Sequence, residues 1–164
     1  HLLRRQRQMC IRDRPNCTAF QVGLINLALS FIGSKAPDAL NNAIQSENIE
    51  IRIAAITVLA EQIQSGRYQS ASKTLLKALS DQSSEVRAEA ATMVGKTLEP
   101  EDACEKLCEL LSDESVQVRK NTSLALMKME AEEAIRPLKN AAAIEKDEQV
   151  KSVMNVAIKV LEQD

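Results

Sequence analysis

The sequence predicts an all-α fold, a solenoid of stacked antiparallel helix pairs, and three observations predict it. One short pattern recurs along the chain. Leu79-Ser80-Asp81-Gln82-Ser83-Ser84-Glu85-Val86-Arg87 returns thirty-two residues later as Leu111-Ser112-Asp113-Glu114-Ser115-Val116-Gln117-Val118-Arg119, and drifts after another thirty-two to the stretch from Ala143 to Lys151. An earlier copy, Ile44 to Arg52, stands thirty-five residues upstream of the first. Each copy is an apolar helix end, a polar turn, then an aliphatic residue followed by a cation, and a fixed period of this length marks stacked helix pairs. Secondly, no stretch alternates apolar and polar residues over a strand length between turn signals. Thirdly, the chain is 45% hydrophobic but only 2% aromatic, with no Trp. Small aliphatic side chains suit helices that approach closely.

Two domains of unequal meaning follow from composition. Residues 1–14 stand apart: Arg4 to Arg14 resembles a translated sequencing adapter over eleven residues, and such scars are excluded from fold reasoning. Residues 15–164 are expected to form one lone helix plus four helix pairs, the C-terminal part of a longer protein. Setting aside the five Arg and one Asp of residues 1–14 leaves 16 cations and 22 anions, a net charge of about −6. An acidic body without clustered cations is a poor phosphate binder, so nucleic acid is not an expected partner. Beyond Cys10, the three cysteines Cys17, Cys104 and Cys108 are an odd, sparse set that suggests reduced thiols and a cytoplasmic setting.

Thr18 to Ile32 reads as a helix that is apolar nearly all round. Its apolar stretch, Phe20 to Ile32, is thirteen residues interrupted by Gln21, Asn26 and Ser30, short of the roughly 20 that a membrane span needs. It is read as a buried repeat helix, and no membrane is expected. Gly33-Ser34 ends it, and Pro37 suits the first turn of the next helix, Pro37 to Gln45. Ile49 to Gln64 pairs with that helix through Ile53, Ile56, Leu59, Ala60 and Ile63. Tyr68 to Leu79 is the second outer helix, and Ser84 to Leu98, with Ser84 as a cap, is its inner mate. Pro100 opens the third outer helix, with Glu101 and Asp102 where the helix dipole favours anions. Ser115 to Met129 is its mate. Ala131 to Ile144 contains Pro137, which implies a kink or a late start. Gln149 to Leu161 closes the stack.

The turn acids Asp81, Asp113 and Glu145 and the helix cations Arg52, Arg87, Arg119 and Lys151 recur in step. A planar guanidinium can fork onto a turn carboxylate of the adjacent repeat, which makes Asp81, Arg87, Asp113 and Arg119 a structural ladder. The alternative, an arginine row that binds an anionic ligand, ranks behind it. The turn Asp, the Val-Arg step and the Ala-rich inner helix resemble HEAT repeats, best in Ser84 to Ala91. The short period resembles the HEAT-like class of phycobilisome lyases. The resemblance covers roughly residues 37–164, with Lys151 and Glu145 as departures from Arg and Asp. It implies a right-handed, armadillo/HEAT-like superhelix whose inner helices line a concave surface. Spacing of four, three and four then places Glu50, Ala54, Thr57 and Glu61 on that surface, followed by Glu85, Glu89, Thr92 and Lys96. The next rows are Gln117, Asn121, Leu124 and Lys128, then Gln149, Val153, Val156 and Val160. Leu124, Val156 and Val160 exceed what one core face requires. They belong either to ordinary packing of an end helix or to a docking patch.

Catalytic signals are absent. The single His is His1, so Ser-His-Asp and Cys-His chemistry have no base beyond it. Cys104 and Cys108 supply two thiols where structural zinc needs four ligands, and no cofactor or metal is expected. The expectation is a non-catalytic scaffold that grips a partner protein or peptide through Glu89, Lys96, Asn121, Leu124, Lys128, Val153, Val156 and Val160. A second reading rests only on the resemblance: a phycobilin lyase-like protein that handles a bilin or a phycobiliprotein.

Overall fold

The computed structural model describes residues 37–66 and 71–163. The first pair is α1 (Pro37–Ile44) with α2 (Ile49–Gln64), and the second is α3 (Ala71–Ala78) with α4 (Ser84–Thr97). The third joins α5 (Pro100–Glu109), prolonged by a 3-10 turn (Leu110–Ser112), to α6 (Val116–Lys128). A second 3-10 turn (Glu132–Ala134) leads into α7 (Ile135–Ile144), the mate of α8 (Glu148–Leu161). The described residues contain no strand, and the pairs stack in sequence order as an α-solenoid. The lone helix expected at Thr18–Ile32, the segment 1–14 and the start of the second outer helix at Tyr68 lie outside the described residues.

Local chemistry sets the inner-helix boundaries. Asn48 Oδ1 accepts from the Glu50 and Ile51 N–H groups, Ser83 Oγ from Glu85, and Asp147 Oδ1 from Gln149 and Val150. Each cap satisfies N–H groups that lack an intrahelical partner. Ser83, not Ser84, therefore caps α4. At the end of α6, Glu130 adopts the left-handed conformation (φ 53°). The Ala131 N–H then reaches back to the Leu126 carbonyl and the Glu130 N–H to that of Met127. This is a Schellman closure, in the place that Gly66 (φ 69°) fills after α2. Pro137 produces a late start, not a kink. It is the third residue of α7, where a helix N–H has no intrahelical acceptor to lose.

The core runs as one strip between the two layers, from Leu40 through Leu59, Leu75, Val94, Leu107 and Leu126 to Leu138 and Met154. The layers are packed unequally. Inner helices α2, α4, α6 and α8 lie directly against one another, whereas the outer helices α5 and α7 meet chiefly through the 3-10 turns. One close approach is Gly95 against Ala125: a Cβ on Gly95 would stand 2.6 Å from the Ala125 Cβ and 2.7 Å from its Cα. Closer spacing inside than outside curves the stack toward its inner layer. Ala54, expected on the concave surface, is instead fully buried within the inner layer.

Gly95→Ala is expected to destabilise the protein. Helix propensity alone favours Ala by about 1 kcal/mol, but the collision with backbone forces α4 and α6 apart at a cost of about 1–3 kcal/mol. Thermal unfolding of the variant measures which effect prevails, and a raised midpoint would contradict the close approach.

Candidate functional site

The turns at one end of the inner helices carry a regular hydrogen-bond series. Arg52 donates through Nε and Nη2 to the two carboxylate oxygens of Asp81, both at 2.9 Å. Arg87 forks onto Asp113 at 2.8 and 3.0 Å, and Arg119 onto Glu145 at 2.6 and 2.8 Å. The third nitrogen of each guanidinium turns back to its own repeat. Nη1 of Arg87 donates to the Asp81 carbonyl at 2.9 Å, and Nη1 of Arg119 to the Asp113 carbonyl at 2.8 Å. Each acid also accepts a turn N–H: Ser83 onto Asp81, Ser115 onto Asp113 and Asp147 onto Glu145. One turn residue thus receives the preceding repeat's arginine on its side chain and its own repeat's arginine on its carbonyl, and the series is continuous.

These bonds tune the acids. Burial works against ionisation of Asp113, but donation from Arg87 and the Ser115 N–H, with the charges of Arg87 and Arg119, outweighs it and holds the pKa below the usual value. Donation from Arg119 brings Glu145 from 4.5 down to about 2, against burial. The series has two ends. Six residues before Arg52 stands Ser46, whose Oγ accepts the Asn48 N–H as the acids do but offers no carboxylate. At the other end Lys151 replaces the forked guanidinium.

The inner helices expose a second row. Lys96 and Lys128 are exposed, in the last turns of α4 and α6, and Glu89 is half-buried two turns before Lys96. Leu124 is 39% exposed, Val156 53% and Val160 39%, with Val153 half-buried beside them. Asn121 differs from its neighbours in the row. Its Nδ2 donates to the Ala88 carbonyl and to Thr92 Oγ1, both at 3.1 Å, and its Oδ1 accepts from Gln117 at 2.6 Å. That side chain ties α6 to α4 and has little left to offer a ligand. Val156 also borders the open end of the stack, among Lys151, Ser152, Asn155 and Lys159.

Two hollows lie elsewhere. One, of about 680 Å³, opens at the turn edge around Ile44, Ile49, Arg52 and Asp81, where Arg52 and Asp81 are already engaged in the series. Another, about 400 Å³, holds Cys104 and Cys108 between the N-terminal part of α5 and Glu133 and Pro137. Their sulfurs are 3.7 Å apart, and burial raises both thiols, Cys108 to about 12, so neither is a ready nucleophile at neutral pH. Among the described residues no group of three or more His, Cys, Asp or Glu is arranged to hold a metal, and no helix is long and apolar enough to cross a membrane.

Residues 36–113 and 72–159 match the HEAT-repeat family. The chain belongs to that family. The crystal structure of an engineered protein superposes on this HEAT-repeat chain with a TM-score of 0.55 at 19% identity, covering 84% of this chain and 72% of its own, a likeness of fold alone. Over 147 residues the chain is 58% identical to a Synechococcus sp. (strain WH8020) protein named Bilin biosynthesis protein MpeU, which covers 90% of this chain. The chain spans about half the length of that relative, 50%. This relative overturns the expectation of a purely non-catalytic scaffold and favours the bilin-handling reading instead. Sequence reasoning had ranked the two the other way because the repeats have no aromatic or His cluster that advertises a tetrapyrrole. It also missed Gly95, whose only sequence signal is a glycine inside a helical pattern.

Arg87→Ala leaves the Asp113 carboxylate without its fork and is expected to cost about 1.5–3 kcal/mol; Arg87→Lys, which keeps the charge but not the two-pronged geometry, recovers only part of that loss in chemical denaturation. Glu145 has a folded pKa of about 2 against an ordinary 4.5. The stability it contributes is therefore complete above pH 4.5 and is lost as pH falls toward 2. Glu145→Gln should lower the melting midpoint at neutral pH, and the gap from the parent chain should close over that interval in a pH series of melts.

Proposed function

We propose that this chain is part of a bilin-handling protein of the phycobilisome-lyase type, which holds a linear tetrapyrrole, its phycobiliprotein acceptor, or both on the concave face. The single observation that carries the reading is the 58% identity to a protein named for bilin biosynthesis. The inner surface supports it chemically. A bilin is an extended, mostly apolar ribbon with carboxylates on its flank, and the exposed row combines Leu124, Val153, Val156 and Val160 with Lys96 and Lys128. Glu89 adds a carboxylate suited to pyrrole N–H donors. Asn121 serves this face indirectly, by locking α4 to α6 beneath it.

The groups on this face suit the positioning of a ligand. The ionisable ones are carboxylates and lysines, and the sequence has no His after residue 1 to serve as a near-neutral base. Holding a reactive chromophore in one conformation next to its acceptor lowers the barrier by orientation alone.

Titration of phycocyanobilin with the chain is expected to give a saturable change in the long-wavelength absorbance, and incubation with an apo-phycobiliprotein is expected to change the colour further. Val156→Asp should weaken the absorbance response by roughly tenfold while leaving the melting midpoint close to that of the parent chain, because Val156 is half in solvent. A flat titration with the parent chain would sink the reading.

A further inference from the structure

We propose that Lys96 and Lys128 form a two-point clamp for the paired carboxylates of a linear tetrapyrrole, one lysine from each of two successive repeats. The proposal rests on the bilin-handling reading and names the groups that do the recognising. Lys96 and Lys128 are thirty-two residues apart, one repeat period, and so occupy the same register on adjacent inner helices. Both lie in the last turn of their helix and both are exposed. The repeat before them has Glu61 at this register and the repeat after has Val160. Cations at this register therefore occur twice in succession among the described repeats, with an anion on one side and an aliphatic group on the other.

The helices carrying them approach closely. Gly95, immediately before Lys96, packs against Ala125, one turn before Lys128. Contact at that range sets the axes at the short end of the usual roughly 8–10 Å, and two flexible ammonium groups rooted there can close on two carboxylates attached to adjacent pyrroles. The Asn121 bonds to Ala88 and Thr92 fix the spacing, and the Gln64 amide, which donates to the Lys96 carbonyl at 3.3 Å, steadies the same turn from α2. The ladder engages its arginines at the helix starts, whereas neither of these lysines has an ion-pair partner among the described residues. Leu124, one turn before Lys128 on the exposed row, supplies apolar contact between the charged ends.

The test compares free phycocyanobilin with its dimethyl ester, whose carboxylates are blocked, by absorbance titration of the 164-residue chain. The parent chain should prefer the free acid. Lys96→Glu and Lys128→Glu should each weaken binding of the free acid by about fivefold and together by about twenty-fivefold, without changing binding of the ester. Lys106→Glu, on the outer helix α5, should change neither, and helical circular dichroism with melting midpoints checks that all variants are folded. If the parent chain binds acid and ester alike, or the lysine variants bind the acid as the parent does, the clamp is wrong while bilin handling stands. If the parent chain binds neither form, both fall.

Discussion

An arginine forked onto the turn carboxylate of the next repeat is the contact on which the rest of this structure depends. The pair is largely withdrawn from solvent, with the side chains of Arg87 and Asp113 11% and 7% exposed. Two parallel hydrogen bonds fix distance and angle together, which a lysine cannot do. The desolvation that would make a buried ion pair a poor source of stability is offset here because the remaining donors and acceptors are also filled. Nη1 meets the carbonyl of its own turn, and the carboxylate takes a turn N–H. Apolar faces of stacked helix pairs can slide, since burial of aliphatic area is nearly indifferent to small translations. The fork removes that freedom once per repeat.

A stack registered in this way can place functional side chains at fixed intervals without a compact globular core. The inner layer exploits this: Gly95 permits α4 and α6 to touch, and Asn121 crosses the seam in hydrogen bonds that serve no ligand. Residues at one register of successive helices then become neighbours on a rigid surface, although thirty-two residues separate them. The surface changes character at α8, where Val156 and Val160 are exposed aliphatic groups at the registers that Leu124 and Lys128 hold one repeat earlier. Cys104 and Cys108, whose thiol pKa values burial raises, lie in the other layer on α5.

The functional reading turned on information that physical pattern does not carry. Repeat period, charge and the absence of a near-neutral base pointed equally to any protein that binds along a concave surface. A relative named for bilin biosynthesis favours one of these readings over the others. Of the residues proposed for ligand contact, Lys96, Leu124, Lys128, Val156 and Val160 are exposed, because a helix sandwiched between neighbours leaves one stripe free, whereas Glu89 and Val153 at the same spacing are half-buried.

By itself, the sequence determined the helix pairs and their order, while the direction in which each arginine reaches, to the turn of the following repeat, came from the structure. The pairs and their order follow from short-range periodicity and from a motif that repeats in register. Only the tertiary structure decided that Ala54 is buried within the inner layer, that Asn121 is spent between helices, and that Gly95 is needed where two backbones meet. Those outcomes depend on how far apart neighbouring helices settle, and that distance is set by contacts between residues roughly one repeat apart, which no local pattern records.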